Sequence, residues 1–219
     1  YVKADNVFGR YFISLDLTDK KCLVVGGGQV AERKVRSLLE CNARVYVVSP
    51  ELSSGFKSLV EKGEIAYRCG CYQSSDLGGV FLVIGSTGNE DANQKIADDC
   101  ADRNIIVNIV DDPTKGNFFV PATVRRGPFT IAISTGGRSP LFARKIREEL
   151  EKKYGPHYGE FLDMLGSLRE DVISRVSDPE KKKVILESFV GDEILDLLRK
   201  GQMDLVKERL LSAYRGSWS

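Results

Sequence analysis

The stretch Leu23–Lys34, LVVGGGQVAERK, constrains this chain more than any other. It passes from an apolar run through three glycines into a helical pattern, leaving no room for a longer connection. A strand that turns this sharply into a helix belongs to a layered α/β arrangement. Gly26, Gly28 and Ala31 satisfy G-x-G-x-x-A. In such a turn the first glycine permits the bend and the second removes a Cβ from the path of a pyrophosphate. The small third residue lets the helix pack on the strand. The phosphate then meets N–H groups and the positive end of the helix dipole. The other reading is a tight corner in a buried sheet. Context favours the cradle, because the turn follows a strand, opens a helix and leads to a second strand about 20 residues on.

Apolar runs and helical patterns alternate through the first half. Strands are expected at Cys22–Val25, Arg44–Val48, Ile65–Tyr67, Val80–Ile84 and Ile105–Val110, with helices at Val30–Glu40, Phe56–Glu61 and Asp91–Asp102. That order predicts a Rossmann-like parallel sheet with helices on both faces. The pattern then changes. Phe118–Val124 and Phe129–Ser134 are strand-like and joined by Arg125-Arg126-Gly127-Pro128, a β-hairpin or a crossing pair. From Pro140 the sequence is helical, broken at Gly155-Pro156, Ser177-Asp178-Pro179 and Gly191. The expected division is a dinucleotide-binding domain over 1–114, a dimerisation and substrate-binding segment over 115–152 and a C-terminal helical domain over 153–219.

Charge excludes some partners. With 32 Lys+Arg against 31 Asp+Glu, no global field draws the chain to nucleic acid or to a membrane surface. No apolar run reaches the roughly 20 residues that span a bilayer, and no signal-peptide pattern opens the chain. Five cysteines, odd in number and mostly in apolar surroundings, are expected as free thiols in a reducing cytoplasm. Cys69-Gly70-Cys71 has the spacing of neither a zinc knuckle nor a C-x-x-C pair. His157 is the single histidine, so no metal site built on several histidines fits within one subunit.

Which nucleotide the turn takes is read from the next strand. An acidic residue there usually holds the adenosine ribose. Here Ser49 stands in that place and the carboxylate arrives at Glu51, after Pro50; NAD is expected rather than NADP. Arg33 and Lys34 face either solvent or a 2′-phosphate. Ser86, Thr87 and Gly88, beyond the fourth strand, line the cofactor in this arrangement, and Ser86 or Thr87 can also cap the next helix. Asp111 closes an apolar strand at the edge where ligands bind in open sheets. It reads as a general base, or as a turn carboxylate ahead of Pro113. Arg125, Arg126, Arg138, Arg144, Lys145 and Arg147 form a local basic cluster. Ser139 as N-cap and Pro140 at the first helical position put open N–H groups beside Arg138, suited to carboxylates. Lys145 and Arg147 read as a solvated helix face.

Four separated motifs, in order, resemble a known family. Leu15-Asp16-Leu17 ahead of KKCLVVGGGQVAERK, then NIVDDP, FFVPATVRRGPFTIAISTGGRSP and LFARKIREELE, resemble the precorrin-2 dehydrogenase part of sirohaem synthases over residues 7 to 155. The resemblance implies oxidation of precorrin-2 to sirohydrochlorin with NAD as hydride acceptor. In some members ferrous iron is then inserted as a second substrate. It also implies a homodimer and, since nothing matches the methyltransferase half of the fused synthases, the stand-alone form. By position, Gly26, Gly28, Gln29 and Val30 fall on the pyrophosphate loop, and Pro50-Glu51 on the ribose side. Asp111 falls on the catalytic aspartate. For a polycarboxylate substrate, the basic cluster and the helix entry make Arg138, Arg125 and Arg126, with Thr135, Gly136 and Gly137, the expected substrate contacts. Thr135 replaces a serine found in several members, and Asp112 adds a carboxylate where others carry a small residue. With one histidine and no thiol cluster, the dehydrogenase alone is favoured over added ferrochelatase activity. The competing class is an NAD-sensing Rossmann module that regulates a partner; a dehydrogenase for another small acid is a third reading.

Overall fold

In the computed structural model the described residues are 11–110 and 112–216. The first unit contains strands β1 (Lys21–Val25), β2 (Arg44–Ser49), β3 (Ala66–Cys69), β4 (Leu82–Gly85) and β5 (Ile106–Ile109), with helices α1 (Gln29–Leu39), α2 (Ser54–Glu61) and α3 (Glu90–Asp102). All pairings are parallel and the order is β3-β2-β1-β4-β5. This is the Rossmann-like sheet expected from the alternation. The order reverses between β1 and β4, and ligands of such sheets bind in the crevice outside the carboxyl ends there.

Side-chain alternation divides the core. Cys22 and Val24 of β1 face a cluster with Ala31, Val35, Leu38, Phe56 and Leu59 from α1 and α2. Leu23 and Val25 face Ile96, Ala97 and Cys100 of α3 on the other side. The strands read as unbroken apolar runs because both faces are covered. Burial pushes the Cys22 and Cys100 thiols up to about 11, so both stay protonated packing groups. A 3₁₀ turn at Ser74–Leu77, not legible as a period, is pinned by the bidentate Arg68–Asp76 pair and by Ser74 and Tyr72 donating to Asp99.

The chain divides between Val120 and Pro121. The second unit opens with an antiparallel hairpin, β6 (Ala122–Arg126) and β7 (Phe129–Ile133), followed by α4 (Pro140–Lys153), α5 (His157–Arg175), α6 (Pro179–Ser188), α7 (Asp192–Arg199) and α8 (Met203–Gly216). The expected strand over Phe118–Val124 is shorter than its apolar pattern. Asn117 is engaged with β5 instead, exchanging bonds with Val107, while the Asn108 amide donates to the Phe118 carbonyl. Pro121 then lacks the N–H that a ladder needs. The hairpin turn is Gly127-Pro128 alone, with Gly127 at φ +56, and both arginines stand on β6. Phe161, Val172, Phe189, Ile194, Val206 and Leu210 build the helical core of this unit. His157 begins α5 half-buried, its ring against Tyr158.

Candidate dinucleotide site

The three glycines of the first turn have three different reasons to be there. Gly26 has φ +127, and a Cβ on it would stand 2.2 Å from the Ser86 carbonyl oxygen. Gly27 is pressed on the loop after β2, where a Cβ would meet the Glu51 carbonyl at 1.9 Å. The G-x-G-x-x-A reading passes over this middle glycine, and only the approach of a distant loop explains it. Gly28 is another matter. Its φ of −84 and ψ of 178 suit any residue, and a Cβ there would meet nothing within 4 Å. The fold needs no glycine at 28.

Gly28 is also the N-cap of α1 and supplies no side-chain cap. The first helical bond runs from the Glu32 N–H to the Gly28 carbonyl, so the N–H groups of Gln29, Val30 and Ala31 precede the ladder. Donors at a helix N-terminus, with space where a Cβ would otherwise sit, suit a pyrophosphate. The residues fit a dinucleotide.

The neighbouring strand ends shape the rest. Gly26 N–H donates to the Val48 carbonyl and Ser86 N–H to that of Val25, so backbone ladders run on past the strands. Ser49 is buried, and its hydroxyl donates to the Glu51 carbonyl at 2.7 Å. The Ser49 carbonyl accepts from Gly70 N–H and the Tyr67 hydroxyl. Pro50 and Glu51 are exposed, with the Pro50 carbonyl taking the Cys69 thiol. Ser49 therefore holds the loop in shape, while Glu51 is the carboxylate at its surface.

Neither Ser86 nor Thr87 caps α3. The N-cap is Asn89, whose side chain accepts from Ala92 N–H at 2.9 Å. The Thr87 hydroxyl lies 2.8 Å from the Asn93 side-chain oxygen, and the Asn93 amide donates back to the Thr87 carbonyl. The alternative of a Ser86 or Thr87 cap falls two or three residues early, since any of Ser, Thr and Asn serves. Gly88 is exposed and has open space around it.

Asp111 lies outside the described residues. Its neighbour Asp112 is the turn carboxylate, accepting from the Thr114 N–H and hydroxyl and pairing with Lys115 at 3.3 Å. The Thr114 hydrogen bonds, ahead of the Lys115 charge, hold the Asp112 carboxyl below the usual range.

In the second unit, Arg126 caps the end of α4: its guanidinium donates to the Glu151 and Tyr154 carbonyls at 3.1 and 2.9 Å. Arg144 pairs with Glu148 and Arg147 with Glu151, each one turn further along α4. Arg125 and Arg138 are exposed. Gly136 and Gly137 take φ of +61 and +81, a turn closed by Arg138 N–H to the Thr135 carbonyl. Ser139 caps α4 as expected, but the open donors expected beside Arg138 are largely consumed. Ser139 N–H goes to the Thr135 hydroxyl, Phe142 N–H to the Ser139 hydroxyl and Gly136 N–H to that of Ser134. A serine or threonine hydroxyl would serve equally at 135. Among the described residues no group of three His, Cys, Asp or Glu side chains stands together as a metal site, and no helix is long and apolar enough to cross a membrane.

An NAD(P)-binding family matches residues 13–122, and the central region of sirohaem biosynthesis proteins matches 126–153. The chain belongs to that NAD(P)-binding family. Siroheme synthase of Photobacterium profundum is 33% identical over 200 residues, covering 91% of this chain and 43% of that one. That of Thioalkalivibrio sulfidiphilus is 35% identical over 201 residues, covering 92% and 41%. The chain thus spans about two fifths of the length of these curated relatives. A solved structure, SirC, a precorrin-2 dehydrogenase, superposes with a TM-score of 0.76 at 27% identity, covering 94% of this chain and all of that one.

Proposed function

We propose that this chain is a dehydrogenase that oxidises precorrin-2 to sirohydrochlorin with NAD. The observation that supports this reading most is Gly28: the fold leaves its glycine unexplained and a dinucleotide explains it. The likeness to SirC over that protein's full length supplies the substrate class. NAD supplies a hydride acceptor when bound. The N–H groups of Gln29 and Val30 would hold its pyrophosphate, Glu51 would accept from its adenosine ribose, and the 86–88 loop would lie along it. The reduced macrocycle loses a hydride and a proton. Asp111, next in the chain after Val110, is proposed as the base that takes the proton. Arg138 and Arg125 would meet substrate carboxylates, while Arg126 holds the end of α4. Residues 115–152 are proposed to form the dimer and substrate contacts, with 153–219 as a helical domain and the cytoplasm as its location. Light scattering checks the dimer, which would give twice the chain mass.

The test is anaerobic incubation of the protein with precorrin-2 and NAD, followed by the sirohydrochlorin spectrum. Asp111→Asn should retain both ligands while turnover falls by roughly 10²–10⁴-fold. Asp112→Asn should cost much less, because its carboxylate serves Thr114 and Lys115. A larger loss from Asp112→Asn would transfer the base role to that residue. Ferrous iron would enter as the substrate of a second step. Purified protein given sirohydrochlorin and ferrous ion without NAD is expected to show only the spontaneous insertion rate.

A further inference from the structure

Glu32 lies on the first turn of the helix proposed to receive a phosphate, an unfavourable place for a second anion. Its side chain is only 19% exposed and has a full set of partners. Arg36, one turn on, donates to Glu32 Oε1 from Nε at 3.0 Å and from Nη2 at 2.8 Å. The other oxygen, Oε2, faces the Ser53 hydroxyl at 3.4 Å. Arg36 also reaches the Gly55 carbonyl. Gly55 itself has its Cβ position filled by the Glu32 carboxylate, whose atoms stand 1.9 to 2.3 Å from where a Cβ would be. Ser53 closes the arrangement, because its N–H donates to the Gly27 carbonyl at 2.7 Å. The loop between β2 and α2, which contains Pro50 and Glu51, is therefore clamped at Ser53 to both the glycine turn and α1.

We propose that Glu32 is a positioning residue for the dinucleotide, holding the 50–53 loop against Gly27 so that Glu51 faces the cofactor's ribose side. This rests on the reading that the Gly26–Gly28 turn binds NAD. The Arg36 guanidinium offsets the Glu32 charge, so the clamp costs the incoming phosphate little repulsion. Gly55 is small because the clamp passes through the space its side chain would take.

The structure offers two independent ways to release the clamp. Glu32→Ala removes the carboxylate. Gly55→Ala leaves Glu32 in place but evicts its carboxylate, while improving the intrinsic helix propensity of α2. NAD binding to each purified variant is followed by calorimetric titration, with thermal unfolding and kcat measured beside it. Both variants should weaken NAD binding by about fivefold to tenfold, the scale of one lost ordinary hydrogen bond, and raise the KM for NAD with kcat nearly unchanged. The double variant should be no worse than either alone, because both break one contact. Glu32→Gln keeps the acceptor and should bind NAD within about twofold of the parent. Folded Glu32→Ala and Gly55→Ala proteins that bind NAD as the parent does would overturn the proposal. If Glu32→Ala fails to fold, Gly55→Ala alone decides. A parent protein that binds no NAD would instead overturn the reading of the glycine turn.

Discussion

The glycine-rich turns at Gly26–Gly28 and Gly136–Gly137 both lead into helices, and they are finished differently. Gly136 and Gly137 sit at positive φ, so the backbone itself demands glycine. The donors that follow are met by the hydroxyls of Thr135 and Ser139. That turn is complete without a ligand. Gly28 sits in an ordinary region of φ and ψ, caps α1 with no side chain and has open space in front of it. Here the backbone is satisfied with any residue, and the donors at the helix start are left to whatever binds. The difference teaches that a glycine-rich helix start is not by itself a ligand site. What separates the two cases is whether the conformation or the empty space accounts for the glycine.

The largest expected effect tests the open turn. Gly28→Val should fold, since β-branched residues suit φ −84 and ψ 178, yet lose NAD affinity by about a hundredfold or more. Titration with NAD beside a thermal melt measures both; a folded variant with affinity within threefold would make the two turns alike and erase the distinction. Arg138→Ala, beside the closed turn, should weaken tetrapyrrole binding by about 1–3 kcal/mol and leave NAD affinity unchanged. Equal losses for both ligands would indicate damage to the fold, and no loss would remove Arg138 from the substrate site. The smallest effect belongs to the cap itself. Ser139→Ala should cost about 1 kcal/mol of stability, read as a lowered denaturation midpoint, with NAD binding untouched. A matching drop in NAD affinity would show that the second turn also serves the cofactor.

Much of this architecture was legible because the signals are local. Strands β1, β2, β4 and β5 are rich in Val, Ile and Leu and mostly buried, so they stand out from the helices between them. The C-terminal helices were bounded by Gly155-Pro156, Ser177-Asp178-Pro179 and Gly191, each of which interrupts helical continuation. The cap of α3 is not legible in the sequence because Ser86, Thr87 and Asn89 have similar propensities, and only the hydrogen bond from Ala92 distinguishes them. The strand expected at Phe118 was shortened by β5, whose outer edge takes up Asn117. Arg126 looked like part of a basic ligand site until helix α4 ended within reach of its guanidinium. Charge composition gives no hint of such an engagement.

The sequence by itself determined the order of strands and helices, the glycine turn at the first strand-to-helix junction and the positions of the helix breaks. These depend on side-chain period and on the conformational limits of glycine and proline, which act within a few residues. The tertiary structure decided why each glycine is there, which hydroxyls close a turn and which are only near one, and that Glu32, Ser53 and Gly55 form one clamp around Gly27. Those facts depend on groups up to tens of residues apart meeting within hydrogen-bond distance. Folding brings them together through burial of the shared core, and burial leaves no local periodic mark on the polar residues it joins.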